Sequence, residues 1–399
     1  MDKINVSPEI LEHVHVAIIA GGEGTRLYPI SNSKRSKPYC MLNKDYTFIQ
    51  RVVETYIRLG IKPSRIIVTT TNENQTRLAI EQVTKKGVLS QNVHQIPNLG
   101  YPAAMYLATK FISSLDPDAI VISTPADQYI VVDDEFSRTI EAAIYEAVAG
   151  SATIVGVKVN DLNTAMGCGH AIYNEVEGAA DCFDVIGFVE KPGREEADRI
   201  MRQGNSACNT GINVWRSDTL FEAISESDIV GMSTDQMMGR FEGLRVAVGR
   251  FEWHDCGTLK SLYDVSEKTP NHRNASIGGG KFERTDCSRC LLYAEEGMEL
   301  RLTGGEDVAA VFTTIDSHPI VVVVKMSESQ RVRALAEDYK LHKEFLTEDF
   351  AFGARNNIVL RSNVDDLIVG FVEVEGYAVY VHRESDGSMI AAVSLQKTR

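Results

Sequence analysis

VHVAIIAGGEGTRL, residues 14–27, decides what to expect of the first half of the chain. The apolar run VHVAIIA stops at two glycines, which is typical of a buried strand that leads into a turn. A P-loop would need Lys and then Ser or Thr after its last glycine, and a dinucleotide fingerprint would need a third glycine near Leu27. The stretch has neither pattern, so it predicts a different kind of phosphate-binding turn.

The same order of strand and then helix recurs after this stretch. Residues 65–70 (RIIVTT) and 119–124 (AIVIST) are predicted strands that each end in a polar turn. Helical patterns cover residues 48–59, 74–86 and 102–115. We therefore predict an α/β fold with a Rossmann-like, mostly parallel sheet and helices on both faces. Ligands of such sheets bind outside the carboxyl ends of the strands, where the glycine turn and the turn after Thr124 both fall.

The composition narrows the class of protein. The chain has 399 residues, 44% of them hydrophobic, a formal charge of -14 and no apolar run of the ~18 residues that a membrane helix needs. Because the charge is strongly negative, we expect no nucleic acid partner. Since residues 1–16 also lack the basic and then apolar order of a signal peptide, we expect no membrane partner and a cytoplasmic location. The seven cysteines are scattered, which favours reduced thiols, and the single CxxC, Cys287 and Cys290, is interpreted as two ordinary thiols rather than a zinc site.

Two domains are predicted. Residues 1–268 form the catalytic domain, and the segment 267–281 (EKTPNHRNASIGGGK) is a linker. Residues 282–399 form a smaller β-rich C-terminal domain with a weak two-fold internal repeat, residues 307–323 and 366–381, which predicts two hairpins. This domain lacks the hexapeptide pattern of a left-handed β-helix, so a fused acyltransferase is not expected.

The first group of site residues follows the glycine turn in GGEGTRLYPISNSKRSKP, residues 21–38. Backbone N–H groups of such a turn approach phosphate oxygens, Arg26 adds a planar charged fork, and Lys37 adds a point charge. The alternative is a tight turn without a ligand. The residues predicted to bind the nucleotide phosphates are Gly21, Gly22, Gly24, Thr25, Arg26 and Lys37, with Arg26 and Lys37 acting in catalysis.

Two aspartates form the second group. Asp127 in TPADQYI lies at the end of a predicted strand, and Asp255 lies in the turn FEWHDCGT. Carboxylates at such places hold Mg²⁺ against phosphate oxygens, so we predict that both bind a divalent cation and that Asp127 is catalytic. The alternative for Asp127 is a simple turn cap.

The third group comes from GFVEKP, residues 187–192, and ACNTGINVW, residues 207–215. Glu190 and Asn209 could bind sugar hydroxyls, and Lys191 could bind the phosphate of a sugar phosphate. The alternative is that EKP is an ordinary strand-to-helix turn on the surface.

These elements, in this order, resemble the sugar-phosphate nucleotidyltransferases, and most closely the mannose-1-phosphate guanylyltransferases. The resemblance covers about residues 14–265. PADQ is similar to the family's Pro-Ala-Asp-His, and GFVEKP to its Phe-Val-Glu-Lys-Pro. It implies that IPNLGYPAAMYLA, residues 96–108, holds the base, with Gly100 in the nucleotide site, and that Gly169 in MGCGHAIYN lies near the sugar.

Three departures accompany the resemblance. Gln128 replaces the usual His, His170 stands where an aromatic residue is common, and one extra residue between Pro29 and Lys37 leaves Lys34 and Lys37 both open as the phosphate-binding lysine.

The resemblance implies an enzyme that transfers a nucleotidyl group from an NTP, here GTP, to a sugar-1-phosphate, here mannose-1-phosphate, and needs Mg²⁺. A homodimer is also expected. Two alternatives stay open: the same reaction with another nucleotide and another sugar or cyclitol phosphate, and a non-catalytic regulatory subunit that binds a nucleotide sugar.

Overall fold

The computed structural model describes residues 3–22, 27–174, 182–315, 318–332, 351–355, 358–362, 368–372, 377–383 and 388–395. The chain divides into two compact units. The first unit is Met1–Gly21 with Ile49–His254, and the second is Gly22–Phe48 with Asp255–Arg399. This division differs from the predicted domain boundary near residue 268, because the segment that carries Lys37 groups with the C-terminal residues.

Among the residues that are described, the first unit contains eleven strands and most of the helices. Its strands are β1 Val14–Ile19, β2 Ile66–Thr70, β3 Val93–Gln95, β4 Ile120–Pro125, β5 Tyr129–Ile130, β6 Thr153–Val157, β7 His170–Tyr173, β8 Cys182–Val189, β9 Ser206–Arg216, β10 Arg245–Gly249 and β11 Trp253–His254. Its helices are α1 Pro8–Glu12, α2 Phe48–Arg58, α3 Glu73–Val83, α4 Tyr101–Leu115, α5 Asp134–Val148, α6 Leu162–Gly167, α7 Arg194–Gln203, α8 Ser217–Ala223 and α9 Thr234–Met238. The strands and helices predicted before residue 125 are confirmed, each beginning within one residue of the expected start.

The main sheet has nine strands in the order β3-β2-β1-β4-β9-β6-β10-β8-β7. Strands β3, β2, β1 and β4 are parallel, whereas β9 runs antiparallel to β4 and β6. The predicted α/β class is confirmed, with a parallel first half and a mixed second half. The chain leaves β1 toward β2 on one side and returns as β4 on the other, so the carboxyl ends of β1 and β4 flank a switch point where such sheets bind ligands.

The core of the first unit accounts for the continuous apolar runs in this part of the sequence. All six residues of β1 are buried, and α4 packs on the sheet through buried residues such as Met105 and Ile112. Trp215 on β9 is fully buried, and its Nε1 donates a hydrogen bond to Thr109 Oγ1 of α4 (3.1 Å). Strands buried on both faces give continuous apolar runs, which are a strong sequence signal.

The second unit is β-rich. It contains α10 Leu259–Val265 and the strands β12 Ala275–Ile277, β13 Lys281–Thr285, β14 Leu291–Ala294, β15 Met298–Thr303, β16 Val308–Ile315, β17 His318–Lys325, β18 Ala351–Arg355, β19 Ile358–Ser362, β20 Ile368–Val372, β21 Tyr377–Arg383 and β22 Met389–Leu395. Short 3-10 helices lie at Lys37–Tyr39 and Met326–Arg331. One sheet has the order β12-β14-β16-β17-β20-β19-β18, and the other has the order β13-β15-β22-β21.

Two expectations for this unit are corrected. Residues 275–277 of the predicted linker form β12, which pairs in parallel with β14. Strands β16 and β17 form the first predicted hairpin, but β20 and β21 lie in different sheets, so the second hairpin is not formed. Parallel pairing of β12 with β14, β14 with β16 and β13 with β15 coils the chain in parallel without a hexapeptide repeat. Pairings between distant strands leave no local sequence pattern, which is why the sequence did not predict them.

In the part of the chain that is described, every helix is too short or too polar to cross a membrane.

Candidate functional site

Gly21 lies two residues after the end of β1, at the carboxyl end of the parallel strands. Its carbonyl oxygen accepts hydrogen bonds from Thr71 Oγ1 (3.2 Å) and Gln75 Nε2 (3.3 Å). A Cβ atom on Gly21 would lie 2.5 Å from Thr71 Cγ2, so any larger residue would force the turn to move. The start of the glycine turn is therefore fixed by the neighbouring strand and helix.

The rest of the glycine turn is only partly described. Gly22 is exposed, and the space where a Cβ atom would project is open. Gly24, Thr25 and Arg26 lie outside the described residues, so their roles stay predictions.

Lys37 carries a buried positive charge in the second unit. Its side chain is 3% exposed, its Nζ donates a hydrogen bond to the main-chain oxygen of Asp255, and Nζ lies 3.6 Å from Asp255 Oδ1. The ring of Phe48 is 5.3 Å from Nζ, which adds a cation–π contact. Lys34, the other candidate, is exposed. The structure thus holds the Lys37 ammonium group in a buried position and leaves Lys34 exposed, and which of the two lysines binds phosphate stays a prediction.

Asp127 lies in the turn between β4 and β5 and is half-buried. The preceding residue, Ala126, donates its N–H to the Ile19 oxygen at the end of β1 (3.1 Å), which ties this turn to the start of the glycine turn. Burial, followed by the charge of Asp127, raises the pKa of the Tyr101 phenol far above its ordinary value. Tyr101 therefore stays a neutral hydrogen-bond donor. The Asp127 carboxylate is near enough to act on the Tyr101 phenol through its charge.

Gln128, which replaces the family's histidine, holds the same turn in place. It is buried, its Nε2 donates to Thr124 Oγ1 (3.0 Å), and its Oε1 accepts from Trp253 Nε1 (2.6 Å). Both ends of the amide are used in these contacts. Gln128 therefore links β4 to β11.

Asp255 follows β11 and belongs to the second unit, with a side chain that is 51% exposed. Its contacts with Lys37 place one of the two predicted metal ligands beside the predicted catalytic lysine. Asp127 belongs to the first unit, so the pairing of the two aspartates around a cation stays a prediction.

The segment predicted to hold the base is the start of α4. Gly100 precedes the helix with φ 100°, in the left-handed region that favours glycine. The Tyr101 hydroxyl donates to the Gly211 oxygen of β9 (3.1 Å). Gly211 also has a positive φ, 78°, and a Cβ atom there would lie 2.6 Å from Pro125 Cγ. These contacts fix the start of α4 beside the carboxyl end of β4.

Three of the predicted sugar-binding residues come together where Gly169 precedes β7, Glu190 follows β8 and Asn209 lies on β9. Asn209 donates its N–H to the Gly169 oxygen (2.7 Å), and its Oδ1 accepts from Gly211 N–H (2.8 Å). A Cβ atom on Gly169 would lie 2.6 Å from Glu190 Oε2 and 2.5 Å from Phe188 Cζ. The Glu190 carboxylate therefore lies in the space that a side chain at position 169 would need, and the main chain of Asn209 bonds to the same glycine.

Lys191 differs from its three neighbours in this group. Its side chain is 64% exposed, and its Nζ lies 3.0 Å from Glu190 Oε1. Its φ of 44° is in the left-handed region, which marks a tight turn after β8. The structure thus places the lysine at the rim of the group, paired with Glu190.

A disulfide joins Cys168 and Cys208, the residues immediately before Gly169 and Asn209. The expectation of reduced thiols is wrong for this pair, because β7 pairs with β9 and brings together two residues 40 positions apart. His170 Nε2 lies 3.8 Å and 3.9 Å from the two sulfurs and donates to the Ala165 oxygen (2.8 Å). Although these are metal-ligand residue types, sulfurs in a disulfide are not thiolates and cannot ligate as such.

The remaining cysteines are buried free thiols, as the sequence predicted. Burial raises the pKa of Cys40, near Lys37, to about 11, so this thiol is neutral. Among the described residues, Cys287 and Cys290 are not part of a group of three metal-ligand side chains.

Sequence reasoning missed Tyr101 and Gly211 as parts of the site. A glycine within a strand pattern signals close approach of another group, so the isolated Gly211 in ACNTGINVW could have been found. Tyr101 could not, because its role depends on a hydrogen bond across 110 residues.

Comparisons with known proteins identify the family of this chain. Residues 15–272 match the family model described as Nucleotidyl transferase. A mannose-1-phosphate guanylyltransferase of Salmonella montevideo is 24% identical over 357 residues, which cover 81% of this chain and 73% of that protein. The mannose-1-phosphate guanylyltransferase ManC of Salmonella typhimurium is 26% identical over 373 residues, which cover 83% and 76%.

The fold has a counterpart among solved structures. A crystal structure from Thermus thermophilus, titled a mannose-1-phosphate geranyltransferase, superposes with a TM-score of 0.67 at 22% identity. The match covers 82% of this chain and 99% of that one. Since the family model spans more than half of the chain, the resemblance found in the sequence is confirmed, and the protein belongs to the nucleotidyl transferase family.

Proposed function

We propose that this protein transfers a guanylyl group from GTP to mannose-1-phosphate. An oxygen of the sugar phosphate attacks the α-phosphorus of the nucleotide and forms a new P–O bond. The bond from the α-phosphorus to the bridging oxygen breaks, and pyrophosphate leaves with the electron pair. The product is the nucleotide sugar, and the reaction needs no covalent enzyme intermediate.

The observation that carries this proposal is the group formed by Gly169, Glu190 and Asn209. The Glu190 carboxylate lies where a Cβ atom of Gly169 would project, and the Asn209 N–H bonds to the oxygen of the same glycine. This arrangement offers hydrogen-bond acceptors and donors to the hydroxyls of a sugar. The names of the two Salmonella relatives support mannose-1-phosphate and GTP as the substrates.

The remaining residues act on the phosphates. Lys37 neutralises charge that develops at the α-phosphoryl group, and Arg26 with the amides of residues 21–25 holds the β- and γ-phosphates. Asp127 and Asp255 are the proposed ligands of a divalent cation, since their carboxylate oxygens are the donors that Mg²⁺ prefers. When bound, the cation supplies positive charge against the phosphate oxygens. We also propose that the protein is cytoplasmic and acts as a homodimer.

The first experiment measures pyrophosphate release with Mg²⁺ from GTP, ATP, CTP and UTP. Each nucleotide is paired with mannose-1-phosphate, glucose-1-phosphate and further sugar phosphates. We expect release from GTP with mannose-1-phosphate. Release from another pair would keep nucleotidyl transfer and replace the proposed base or sugar.

Glu190→Gln tests the sugar-binding group directly. The variant should raise KM for the sugar phosphate more than KM for the nucleotide, because it removes a carboxylate acceptor. Glu195→Gln, on the exposed face of α7, is the matched control. If the protein binds GTP but releases no pyrophosphate with any sugar phosphate, the regulatory-subunit alternative is favoured instead.

A further inference from the structure

The segment that carries Lys37 is tied to the C-terminal strands by one charged residue, Arg35. The Arg35 guanidinium makes an ion pair with Glu295, which follows β14. The two side chains are 27% and 19% exposed. Within the second unit, the link spans 260 residues of sequence.

Glu295 also bonds to a residue of the core. Its Oε1 accepts a hydrogen bond from Thr313 Oγ1 of β16 (2.6 Å), and Thr313 is fully buried. Arg35 Nη2 lies 3.4 Å from the same Oγ1. Arg35, Glu295 and Thr313 therefore form a closed triangle anchored on a core strand.

Arg35 also organises its own segment. Its Nε and Nη2 donate to the Ile30 oxygen at 3.2 Å and 3.1 Å, and its main chain exchanges hydrogen bonds with Asn32 (2.8 Å and 3.1 Å). The guanidinium thus joins the backbone on both sides of a turn to the second unit's strands.

Lys37 follows this turn after one residue and begins a turn of 3-10 helix. The Tyr39 N–H donates to the Ser36 oxygen and the Cys40 N–H to the Lys37 oxygen, both at 3.0 Å. A hydrogen-bonded turn of this kind moves as one piece, so a shift at Arg35 is transmitted to the Lys37 backbone.

We propose that Glu295 is a positioning residue for Lys37 and acts through Arg35, which makes the β-rich unit part of the transferase machinery. The proposal rests on the proposed function, because Lys37 is the group that neutralises the α-phosphoryl charge. Removing the Glu295 charge leaves Arg35 without its carboxylate in a partly buried site, and such an arginine turns toward solvent. Lys37 then loses the fixed position that catalysis requires.

The test compares Glu295→Gln with Glu296→Gln, an exposed neighbour that serves as the matched control. For Glu295→Gln we expect kcat to fall about 10- to 100-fold with nearly unchanged KM values, the scale expected when a catalytic group is displaced by about 1 Å. Glu296→Gln should leave kcat unchanged. A normal kcat in Glu295→Gln, with or without a lower melting temperature, would overturn the proposal.

A double variant tests whether Glu295 acts through Lys37. If it does, Glu295→Gln should have little further effect in a Lys37→Ala background, since residues that act as a unit are not additive. Losses that multiply would show an independent role and contradict the proposal.

Labelling of lysines in the purified full-length protein gives a second readout that needs no activity. Lys37 is 3% exposed, so it should resist amine-reactive reagents, and Glu295→Gln should raise its labelling several-fold as measured by mass spectrometry. Unchanged labelling of Lys37 would overturn the positioning role. If the wild-type protein releases no pyrophosphate but the labelling rises, the proposed function fails and the positioning of Lys37 stands.

Discussion

The segment around Lys37 and the turn around Lys191 each carry a lysine predicted to bind phosphate, yet the two lysines differ in exposure and in their contacts. Lys37 is 3% exposed and held by Asp255 and Phe48, whereas Lys191 is 64% exposed and paired with Glu190. A charge with little water around it acts strongly on a nearby phosphate, and an exposed charge is weakened by solvent and salt. Two lysines predicted to bind phosphate therefore need not contribute equally to binding it.

The two regions are also fixed by different means. Charge pairs and hydrogen bonds hold the Lys37 segment, from Arg35 to Asp255. The region beside Lys191 is held by the Cys168–Cys208 disulfide and by close packing at Gly169. Substitutions of charged residues should therefore affect the first region most, and reductants or added side chains the second.

The largest effect is expected for Lys37→Ala. Removing the charge partner of a transition state lowers kcat by about 10²–10³-fold. Because Lys37 is buried and held in one place, we expect its removal to cause the whole of this loss. Pyrophosphate release under saturating substrates measures it. Lys34→Ala provides the contrast, since Lys34 is exposed and should lose little activity. Equal losses in the two variants would break the distinction between buried and exposed lysines.

Opening the Cys168–Cys208 disulfide is expected to have the next largest effect, on stability. A cross-link that closes 40 residues stabilises a fold by about 3–4 kcal/mol in the chain-entropy model. Dithiothreitol should then lower the melting temperature by about 5–15 °C, measured by calorimetry. The double variant Cys168→Ala/Cys208→Ala should melt at the temperature of the reduced protein. Dithiothreitol should not change the melting temperature of this variant. A wild-type melting temperature that does not respond to the reductant would show that the bond does not stabilise this region.

Much of the fold and part of the site could be predicted from the sequence. Buried parallel strands produce continuous apolar runs, and so β1, β2 and β4 and the turns after β1 and β4 were found with their residues Gly21 and Asp127. Gly169, Glu190 and Asn209 were found through motif resemblance, and the structure brings them together.

What the sequence could not predict depends on contacts between distant residues. The disulfide requires the register of β7 against β9, and the Arg35–Glu295 pair joins residues on either side of the first unit's sequence. The parallel pairing of strands in the second unit was not predicted, because these strands follow no short sequence repeat. Register and distant pairing are set by tertiary packing, which local propensity does not encode.

Gly169→Ala tests the steric part of the second region and should have an intermediate effect. The new methyl group would meet the Phe188 ring at 2.5 Å and the Glu190 carboxylate at 2.6 Å, so Glu190 must move. We expect KM for the sugar phosphate to rise about 10-fold, equivalent to about 1.4 kcal/mol, while KM for the nucleotide stays near its original value. Gly167→Ala is the matched control, because nothing lies within 4 Å of its Cβ position. A normal sugar-phosphate KM for Gly169→Ala would show that Glu190 does not need its present position.

The smallest effect is expected for Lys191→Ala. An exposed lysine contributes on the order of 0.2–1 kcal/mol to an ionic contact, so KM for the sugar phosphate should rise only about 2- to 5-fold with kcat unchanged. Because screening acts on exposed charges, the difference between wild type and variant should shrink as salt is raised, whereas the Lys37→Ala defect should persist. Kinetics at low and high ionic strength measure both. A Lys191→Ala defect that is large and insensitive to salt would mean that Lys191 becomes buried against its substrate, and the contrast with Lys37 would then hold only for the free enzyme.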